Sequence, residues 1–288
     1  LITLSTLDGG GDLGSFVGDN DGTLTITNST SSNIISSTSD DIGGFVGKNS
    51  QNLSIINSSN FGSIDGVGDI GGLVGDSDNT LTILNSHNHG EISGSFEIGG
   101  LVGKNDGDLT ISHSSNEGII SGVDEIAGMV GDNASQLIIQ FSTNNGRISG
   151  DSEIGGLVGN SANTSIYQSF NRGIILSNST SQAQAGGLVG DAGDESGDIL
   201  NISQSANFAT VQASAGAVGG LVGEMDDESI LYIQQSFNAG NVIQISDNKA
   251  LRIGGILGEA DDSTNGGDVI MVDVYNSGTV KGITTATM

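Results

Sequence analysis

The chain has 288 residues, no cysteine, no proline and no tryptophan, and its 34 acidic against 7 basic residues give a net charge of −27. Without cysteine no disulfide bond can form, and a chain this acidic lacks the basic stripe that nucleic-acid-binding proteins turn toward phosphates. It is equally unsuited to anionic membrane surfaces, and no apolar run reaches the length of a membrane-spanning helix. We therefore predict no nucleic-acid partner and no membrane span.

The first predicted element is a strand at residues 1–7, which are rich in Leu, Ile and Thr. Glycines follow at positions 9–11, so we interpret residues 1–12 as an extra N-terminal strand and a glycine-rich hinge. The glycines at 9, 11 and 14 also match a dinucleotide-binding pattern, but no helix is predicted after them and we reject that match. The start at Leu1, without Met or a signal-like segment, suggests a processed chain or a segment of a longer one.

A segment of the type Ile-Gly-Gly-Leu-Val-Gly then returns along the chain. Copies begin at residues 42, 70, 98, 126 and 154, which are 28 residues apart. Looser copies begin at 185, 218 and 253, and a degenerate copy begins at 14. A fixed period of this length indicates a solenoid, a propeller or an array, and a propeller blade needs about 40 residues or more. The period therefore favours a solenoid.

Two further blocks keep the same register. Sequences of the type Leu-Thr-Ile-x-Asn-Ser-x-Asn end at residues 60, 88, 116 and 144, and Ile-Ser-Gly or a close variant follows each. One unit thus contains three short apolar runs bounded by Gly, Asn, Asp and Ser, which predicts three strands and no helix. We predict an all-β parallel β-helix (β-solenoid) of about nine rungs over residues 13–282, with residues 283–288 as a C-terminal tail. Parallel crossovers are overwhelmingly right-handed, so we expect right-handed winding.

Stacking explains why the same residues recur. Equivalent asparagines would lie above one another and form an amide ladder, as in cross-β assemblies: Asn60, Asn88, Asn116 and Asn144. Asparagine also tolerates a left-handed backbone at a corner. Strict alternation cannot direct both Ile and Leu of Ile-Gly-Gly-Leu-Val inward, so we expect a bend at the glycines. The alternative is that a smooth glycine row packs against another molecule.

Taken together, Gly-Gly-Leu-Val-Gly, Leu-Thr-Ile-x-Asn-Ser-x-Asn-x-Gly and Ile-Ser-Gly resemble the GLUG repeat, from about residue 13 to 282. GLUG repeats occur in large cell-surface and secreted proteins, including bacterial adhesins, the non-catalytic part of some immunoglobulin-A peptidases and protist surface proteins. The resemblance implies an extracellular or cell-surface structural or adhesive role, and it transfers no catalytic residue.

Later units depart from the period by insertion. The extra residues, around 178–184, 193–198 and 246–251, are predicted to project as loops. Loops on a rigid scaffold commonly carry binding specificity. An adhesin spacer whose loops at 178–198 and 246–251 bind a glycan or a host protein is therefore one candidate function.

Acidic residues recur at one repeat position, where stacking would place like charges about 5 Å apart: Asp41, Asp69, Glu97, Glu125 and Glu153. A second acidic corner follows the Val-Gly pair, with Asp76, Asp132 and Asp191 among its members. Bridging Ca²⁺ ions would relieve the repulsion, because hard cations prefer carboxylate oxygens. The alternative is a solvated, solubilising face that salt screens.

Asp261 and Asp262 are further metal-ligand candidates. The segment from Asp261 to Gly266 matches the first half of an EF-hand loop, but Val272 occupies the position of the bidentate glutamate and no flanking helices are predicted. The match is therefore partial.

Seven asparagines lie in Asn-x-Ser/Thr sequons and would accept N-linked glycans on a secreted eukaryotic protein: Asn28, Asn52, Asn57, Asn133, Asn163, Asn178 and Asn201. The alternative is that a chain rich in Asn, Ser and Thr creates such sequons by chance. Among them, Asn178 lies in a predicted insertion loop and is the best candidate.

Catalytic signals are poor, so we predict a non-enzyme. The three histidines, His87, His89 and His113, share no repeat position, and few basic residues are available for polysaccharide-lyase chemistry. An ice-binding face would need regular threonine rows, which Ser54 and Ile138 interrupt.

The ends of the solenoid lead to the main functional hypothesis. Residues 1–7 and 280–287 both read as spare strands, and a spare strand can add to the open edge of a neighbour. Head-to-tail addition does not close on itself and generates filaments. We therefore predict a self-assembling extracellular filament or surface-layer subunit whose main partner is itself. Deleting residues 1–8 is then expected to leave soluble monomers.

Overall fold

The computed structural model describes residues 6–38, 40–181, 183–193, 197–226, 228–246, 252–261 and 267–282. Within these residues the chain forms 46 strands and no helix, and the strands make five parallel sheets. Four sheets have nine strands and one has ten. The predicted parallel β-solenoid is confirmed, with a mean repeat of about 29 residues because of the insertions. Its right-handed winding stays a prediction.

We name the sheets A to E. Sheet A contains Thr6–Leu7, Ile34–Ser36, Ile64–Asp65, Ile92–Ser93, Ile120–Ser121, Ile148–Gly150, Ile175–Ser177, Val211–Ala213, Val242–Gln244 and Val280–Lys281. Sheet B contains Leu13–Gly14, Ile42–Gly43, Ile70–Gly71, Ile98–Gly99, Ile126–Ala127, Ile154–Gly155, Gln184–Gly186, Ala217–Gly219 and Arg252–Gly254. We number the turns 1 to 9 by these sheet B strands.

The three remaining sheets follow in chain order. Sheet C contains Val17–Asn20, Val46–Asn49, Val74–Ser77, Val102–Asn105, Val130–Asn133, Val158–Ser161, Val189–Ala192, Val222–Met225 and Leu257–Ala260. Sheet D contains Leu24–Thr27, Leu53–Ile56, Leu81–Leu84, Leu109–Ser112, Leu137–Gln140, Thr164–Tyr167, Ile199–Ser203, Ile230–Gln234 and Asp268–Val272. Sheet E contains Thr30–Ser31, Ser59–Asn60, His87–Asn88, Ser115–Asn116, Thr143–Asn144, Phe170–Asn171, Ala206–Asn207, Phe237–Asn238 and Tyr275–Asn276.

Each complete turn has five strands rather than the three predicted, because the first two sequence blocks each break in the middle. The first block bends between Ile42–Gly43 and Val46–Asn49, so Ile42 and Phe45 are both fully buried. A side chain on Gly43 would collide with the carbonyl oxygen of Val46. The predicted bend at the glycines is thus confirmed. The alternative, an outward-facing glycine row, is wrong, since these glycines are buried.

The interior consists of two parallel hydrophobic columns. One lies between sheets A and B and stacks isoleucines such as Ile70, Ile92 and Ile98. The other lies between sheets C and D and stacks residues such as Leu73 and Ile83. A turn contributes only a few apolar side chains to each column, such as Leu73, Val74, Leu81 and Ile83 to the second one, so a single turn cannot bury them without a neighbour on either side.

The asparagine ladder is confirmed. Asn60 Nδ2 donates to Asn88 Oδ1 at 3.0 Å, and the same bond recurs from turn to turn as far as Asn276. Each of these side chains also closes a local turn, as Asn60 does with the backbone N and O of Gly62. The left-handed backbone lies three residues earlier, at Asn57 and its equivalents. The ladder asparagines are therefore required for their amide, not for a left-handed conformation.

The described parts of the two predicted spare strands are already paired. Thr6–Leu7 lies beside Ile34–Ile35, and Val280–Lys281 lies beside Val242–Ile243, all in sheet A. These residues are therefore the outermost strands of sheet A rather than unpaired segments, and their addition to a neighbouring copy stays a prediction. Residues 1–5 and 283–288, and parts of the predicted insertion loops at 182, 194–196 and 247–251, lie outside the described residues. No helix in the described part of the chain is long and apolar enough to cross a membrane.

Candidate metal site in the acidic columns

Two charged columns run side by side where sheet B leads into sheet C. The first holds the predicted acidic row, each member of which directly precedes a sheet B strand. The second lies within sheet C, where the strand register stacks alternating charges: Asp19, Lys48, Asp76, Lys104 and Asp132. These carboxylates were predicted from the sequence, but the two lysines that lie between them were not.

The two lysines neutralise part of this charge. Lys48 Nζ lies 2.5 Å from Asp76 Oδ2, 3.2 Å from Asp78 Oδ2 and 3.8 Å from Asp41 Oδ2. Lys104 Nζ lies 3.5 Å from Glu97 Oε1. Burial alone would lower the pKa of both ammonium groups, but the surrounding carboxylates outweigh it and raise the pKa of Lys48 and Lys104. The lysines therefore stay charged.

The carboxylates of the first column outnumber the lysines, and their pKa values rise. Burial followed by the charges of neighbouring carboxylates raises the pKa of Asp41 to about 6, of Glu125 to about 8 and of Glu153 to about 9. Burial followed by a hydrogen bond with Glu97 raises the pKa of Asp69 to about 9. Near neutral pH Asp69, Glu125 and Glu153 therefore hold protons, which reduces the repulsion expected from the sequence.

Carboxylate oxygens converge in three groups, and the atoms of each group lie within 4.8 Å of one another. These triads are Asp41–Asp69–Asp76, Asp76–Asp78–Asp106 and Glu97–Glu125–Asp132. Asp76 belongs to two of them and is only 4% exposed. Its Oδ1 atom is buried without a hydrogen-bond partner among the described residues. Such a set of oxygens could hold a divalent cation. Ca²⁺ is a suitable ion, because it prefers oxygen ligands.

The structure therefore rearranges the predicted metal ligands. It brings Asp41 and Asp69 together, and Glu97 with Glu125, but it adds Asp76 and Asp132 as the third members. Glu153 and Asp261 belong to none of the triads found in the described residues. Asp262 and the rest of the half EF-hand segment lie outside the described residues. The alternation of Asp and Lys two repeats apart was the sequence signal for the second column.

Six of the seven sequon asparagines are exposed: Asn28, Asn52, Asn57, Asn163, Asn178 and Asn201. The seventh, Asn133, is fully buried, accepts a hydrogen bond from Asn105 and donates to Ser135 O and Thr164 Oγ1. Its proposed role as a glycan acceptor is therefore wrong, because no attached sugar could leave the interior.

No histidine joins a metal-ligating group in the described part of the chain. The ring of His89 stacks on Phe61 and its Nδ1 lies 2.9 Å from Glu117 Oε2.

Comparison of the chain with protein-family models, with curated proteins and with solved structures finds no match in any of the three. The resemblance to the GLUG repeat therefore stays a prediction from its motifs.

Proposed function

We propose that this chain is a non-enzymatic structural protein of the extracellular space or cell surface, a rod whose copies associate end to end. The observation that carries the proposal is that turns 1 and 9 present the same columns. Leu13 and Ile253 belong to one column of sheet B, and Val17 and Leu257 to one column of sheet C, and all four are only partly buried. One copy stacked on another would continue each column.

Sheet D adds to this complementarity. Val269 and Met271 lie in register with the buried Leu231 and Ile233, yet they are 37% and 41% exposed because no turn covers them. Leu24, at the other end of the same sheet, is also only partly buried. Stacking would remove this apolar surface from water, which contributes about 25 cal/mol for each Å² buried.

The hydrogen-bond ladders would also continue. In successive turns a backbone N–H donates to the serine Oγ of the next turn, as Ser58 N does to Ser86 Oγ at 3.1 Å. By strand register Val274 occupies this position in turn 9 and Ser29 occupies it in turn 1. In a stack, Val274 N would meet Ser29 Oγ of the next copy.

The extra strand of sheet A obstructs a seamless stack. Thr6–Leu7 immediately precedes the sheet B strand Leu13–Gly14. When that strand of one copy pairs with Arg252–Gly254 of another, Thr6–Leu7 falls on the place that Val280–Lys281 already occupies. One of the two sheet A strands must leave before the stack can close.

Deleting residues 1–8 is therefore expected to increase end-to-end association, contrary to the expectation from sequence. Removing residues 279–288 instead relieves the same collision and is expected to act similarly. Electron microscopy and light scattering at matched concentrations measure the effect. Removing both segments leaves a gap in sheet A and serves as the control. Truncated chains that remain isolated rods would contradict end-to-end stacking, whereas intact chains that form fibres lost on truncation would restore the strand-donation hypothesis.

Calcium is the cation that we propose for the acidic triads. We expect Ca²⁺ to raise the melting temperature at pH 9, and a hundredfold excess over Kd corresponds to about 2.7 kcal/mol of stabilisation. Asp76→Asn should reduce this gain, because Asp76 belongs to two triads, whereas the exposed Asp108→Asn should preserve it. Equal melting temperatures with Ca²⁺ and with a chelator would show that the columns are solvated faces only.

An adhesin-type binding module is the second candidate function. It is favoured by an exposed aromatic surface along sheet E. A protein that served only as a structural rod would not need such a surface.

A further inference from the structure

Aromatic side chains gather on one outer surface of the rod, from turn 5 to turn 9 beside sheet E. We call this surface the aromatic face, and its rings are Phe141, Tyr167, Phe170, Phe208, Phe237 and Tyr275. Neighbouring rings lie 4.9 to 6.1 Å apart between centroids. Phe141, Phe208 and Tyr275 are 41%, 42% and 56% exposed. The rings form two runs, Phe141–Tyr167 and Phe170 to Tyr275. An exposed aromatic patch of this kind is typical of a binding surface.

A groove interrupts the rings between turns 5 and 7. It has a volume of about 340 Å³ and is lined by Phe141, Thr143, Gln168, Phe170 and Gln204. Both glutamines lie at the left-handed corner of their turns, with φ of 45° and 49°. Gln168 Nε2 donates to Gln204 Oε1 at 2.6 Å. An amide NH₂ carries two hydrogens, so this bond leaves one hydrogen of Gln168 for another acceptor.

The charge of the aromatic face differs from that of the rest of the rod. In turns 5 to 8, segments 140–145, 167–173, 203–209 and 234–240 contain no Asp or Glu, although the chain has 34 acidic residues; the equivalent segment of turn 9 carries one, Asp273. They contain one cation, Arg172, whose Cζ lies 5.6 Å from the centroid of Phe170 and 5.1 Å from that of Phe208. Arg172 forms no salt bridge among the described residues. A planar guanidinium placed in this way is suited to a carboxylate on a ligand.

We propose that the aromatic face binds an acidic oligosaccharide, one that carries carboxylated sugar units. The weakly positive C–H faces of the sugar rings would pack on the negative faces of Phe170, Phe208 and Phe237. The glutamine amides would exchange hydrogen bonds with hydroxyl groups, and Arg172 would pair with the carboxylate. From Phe141 to Tyr275 the face spans four steps of about 4.8 Å, or about 19 Å, which suits an oligosaccharide rather than a single sugar.

This proposal is independent of end-to-end association and supplies a ligand for the second candidate function. It also moves the binding surface away from the insertion loops at 178–198 and 246–251, because none of the rings belongs to them. The competing explanation is that the rings only stabilise the stacking of adjacent turns.

Titration calorimetry with two acidic probes and their neutral counterparts tests the proposal. The probes are a galacturonic-acid tetramer against a galactose tetramer, and sialyllactose against lactose, which separates uronic from sialic acids as the source of the carboxylate. We expect at least one acidic probe to bind at least tenfold more tightly than its neutral counterpart. Absence of binding by both acidic probes, or equal binding of acidic and neutral sugars, would overturn the proposal.

Variants localise the interaction. Phe170→Ala and Arg172→Gln are each expected to weaken binding at least tenfold, and Arg172→Gln should also abolish the preference for the acidic sugar. The matched controls are Phe96→Ala and Arg147→Gln, which change an exposed ring and an exposed arginine elsewhere. Circular dichroism confirms that each variant is folded. Folded variants of the face that bind like the controls would show that the rings serve stacking alone.

Discussion

Raising the pH from about 4 to about 9 is expected to lower the melting temperature of this protein. Burial and neighbouring carboxylates raise the pKa of Glu125 to about 8 and that of Glu153 to about 9, from an ordinary value of 4.5. Asp69 behaves in the same way, with a pKa raised to about 9. Between the ordinary and the raised values the folded chain binds more protons than the unfolded chain. Stability therefore falls as the pH rises through this window and levels off above it.

Thermal unfolding followed by circular dichroism across this pH range measures the effect. Glu125→Gln and Glu153→Gln each remove one titrating group, so each should flatten the dependence and raise the melting temperature at pH 9 relative to the parent. The exposed Glu91→Gln is the control and should leave the curve unchanged. A melting temperature that rises with pH would contradict protonation of the buried column.

Replacing Gly100 by alanine is expected to destabilise the solenoid by about 3 kcal/mol or more. This is at or above the usual cost of overpacking, because the new methyl group would collide with backbone atoms, which cannot move aside as a side chain can. The new methyl group would collide with the carbonyl oxygen of Gly128 and lie 2.6 Å from Asn116 Cγ. Gly128 lies in the next turn and Asn116 in the same turn as Gly100, so relief of the collision would disturb both the stacking of turns and the asparagine ladder.

Urea unfolding of Gly100→Ala and Gly22→Ala compares two glycines that differ in surroundings. A methyl group on Gly22 would meet no atom within 4 Å, so that variant should change stability by no more than about 0.5 kcal/mol. Equal stabilities of the two variants would show that the glycine row is not constrained by packing.

Replacing Asn116 by alanine is expected to destabilise the asparagine ladder directly. It would remove the 2.9 Å bond that Asn88 Nδ2 donates to Asn116 Oδ1, although Asn88 keeps its bond to Gly90 O, and it would leave Gly118 N without an acceptor. Each buried group left without a partner costs about 1–3 kcal/mol. The ladder and the glycine row are thus coupled parts of the same corner.

Much of the fold could be predicted from the sequence, because stacking of the turns brings residues one repeat period apart into contact. Residues one period apart become neighbours, so the isoleucine columns and the Asn60–Asn88 ladder follow directly from the spacing. The bend at the glycines was also predicted, but not that it divides the first block into two strands. The second bend, at Asn57, was not predicted, because it depends on how the backbone closes a turn.

The candidate sites were less accessible to sequence reasoning. Lys48 lies beside Asp41 because sheet B meets sheet C there, and no repeat period records that proximity. Asn133 resembles the other sequon asparagines in sequence, but its side chain is buried in the interior. Phe170, Phe237 and Tyr275 share the position before the ladder asparagine. Phe141 and Phe208 come from other repeat positions, so the repeat marks only part of the face.

The sequence by itself determined the parallel stack, its period and the identity of its buried ladders, since these depend only on which residues recur at the same position. The tertiary structure decided which different positions meet across a corner, such as Lys48 beside Asp41 and Arg172 beside Phe170. The physical reason is that contacts between turns are set by the repeat, whereas contacts within a turn are set by the angles at its bends.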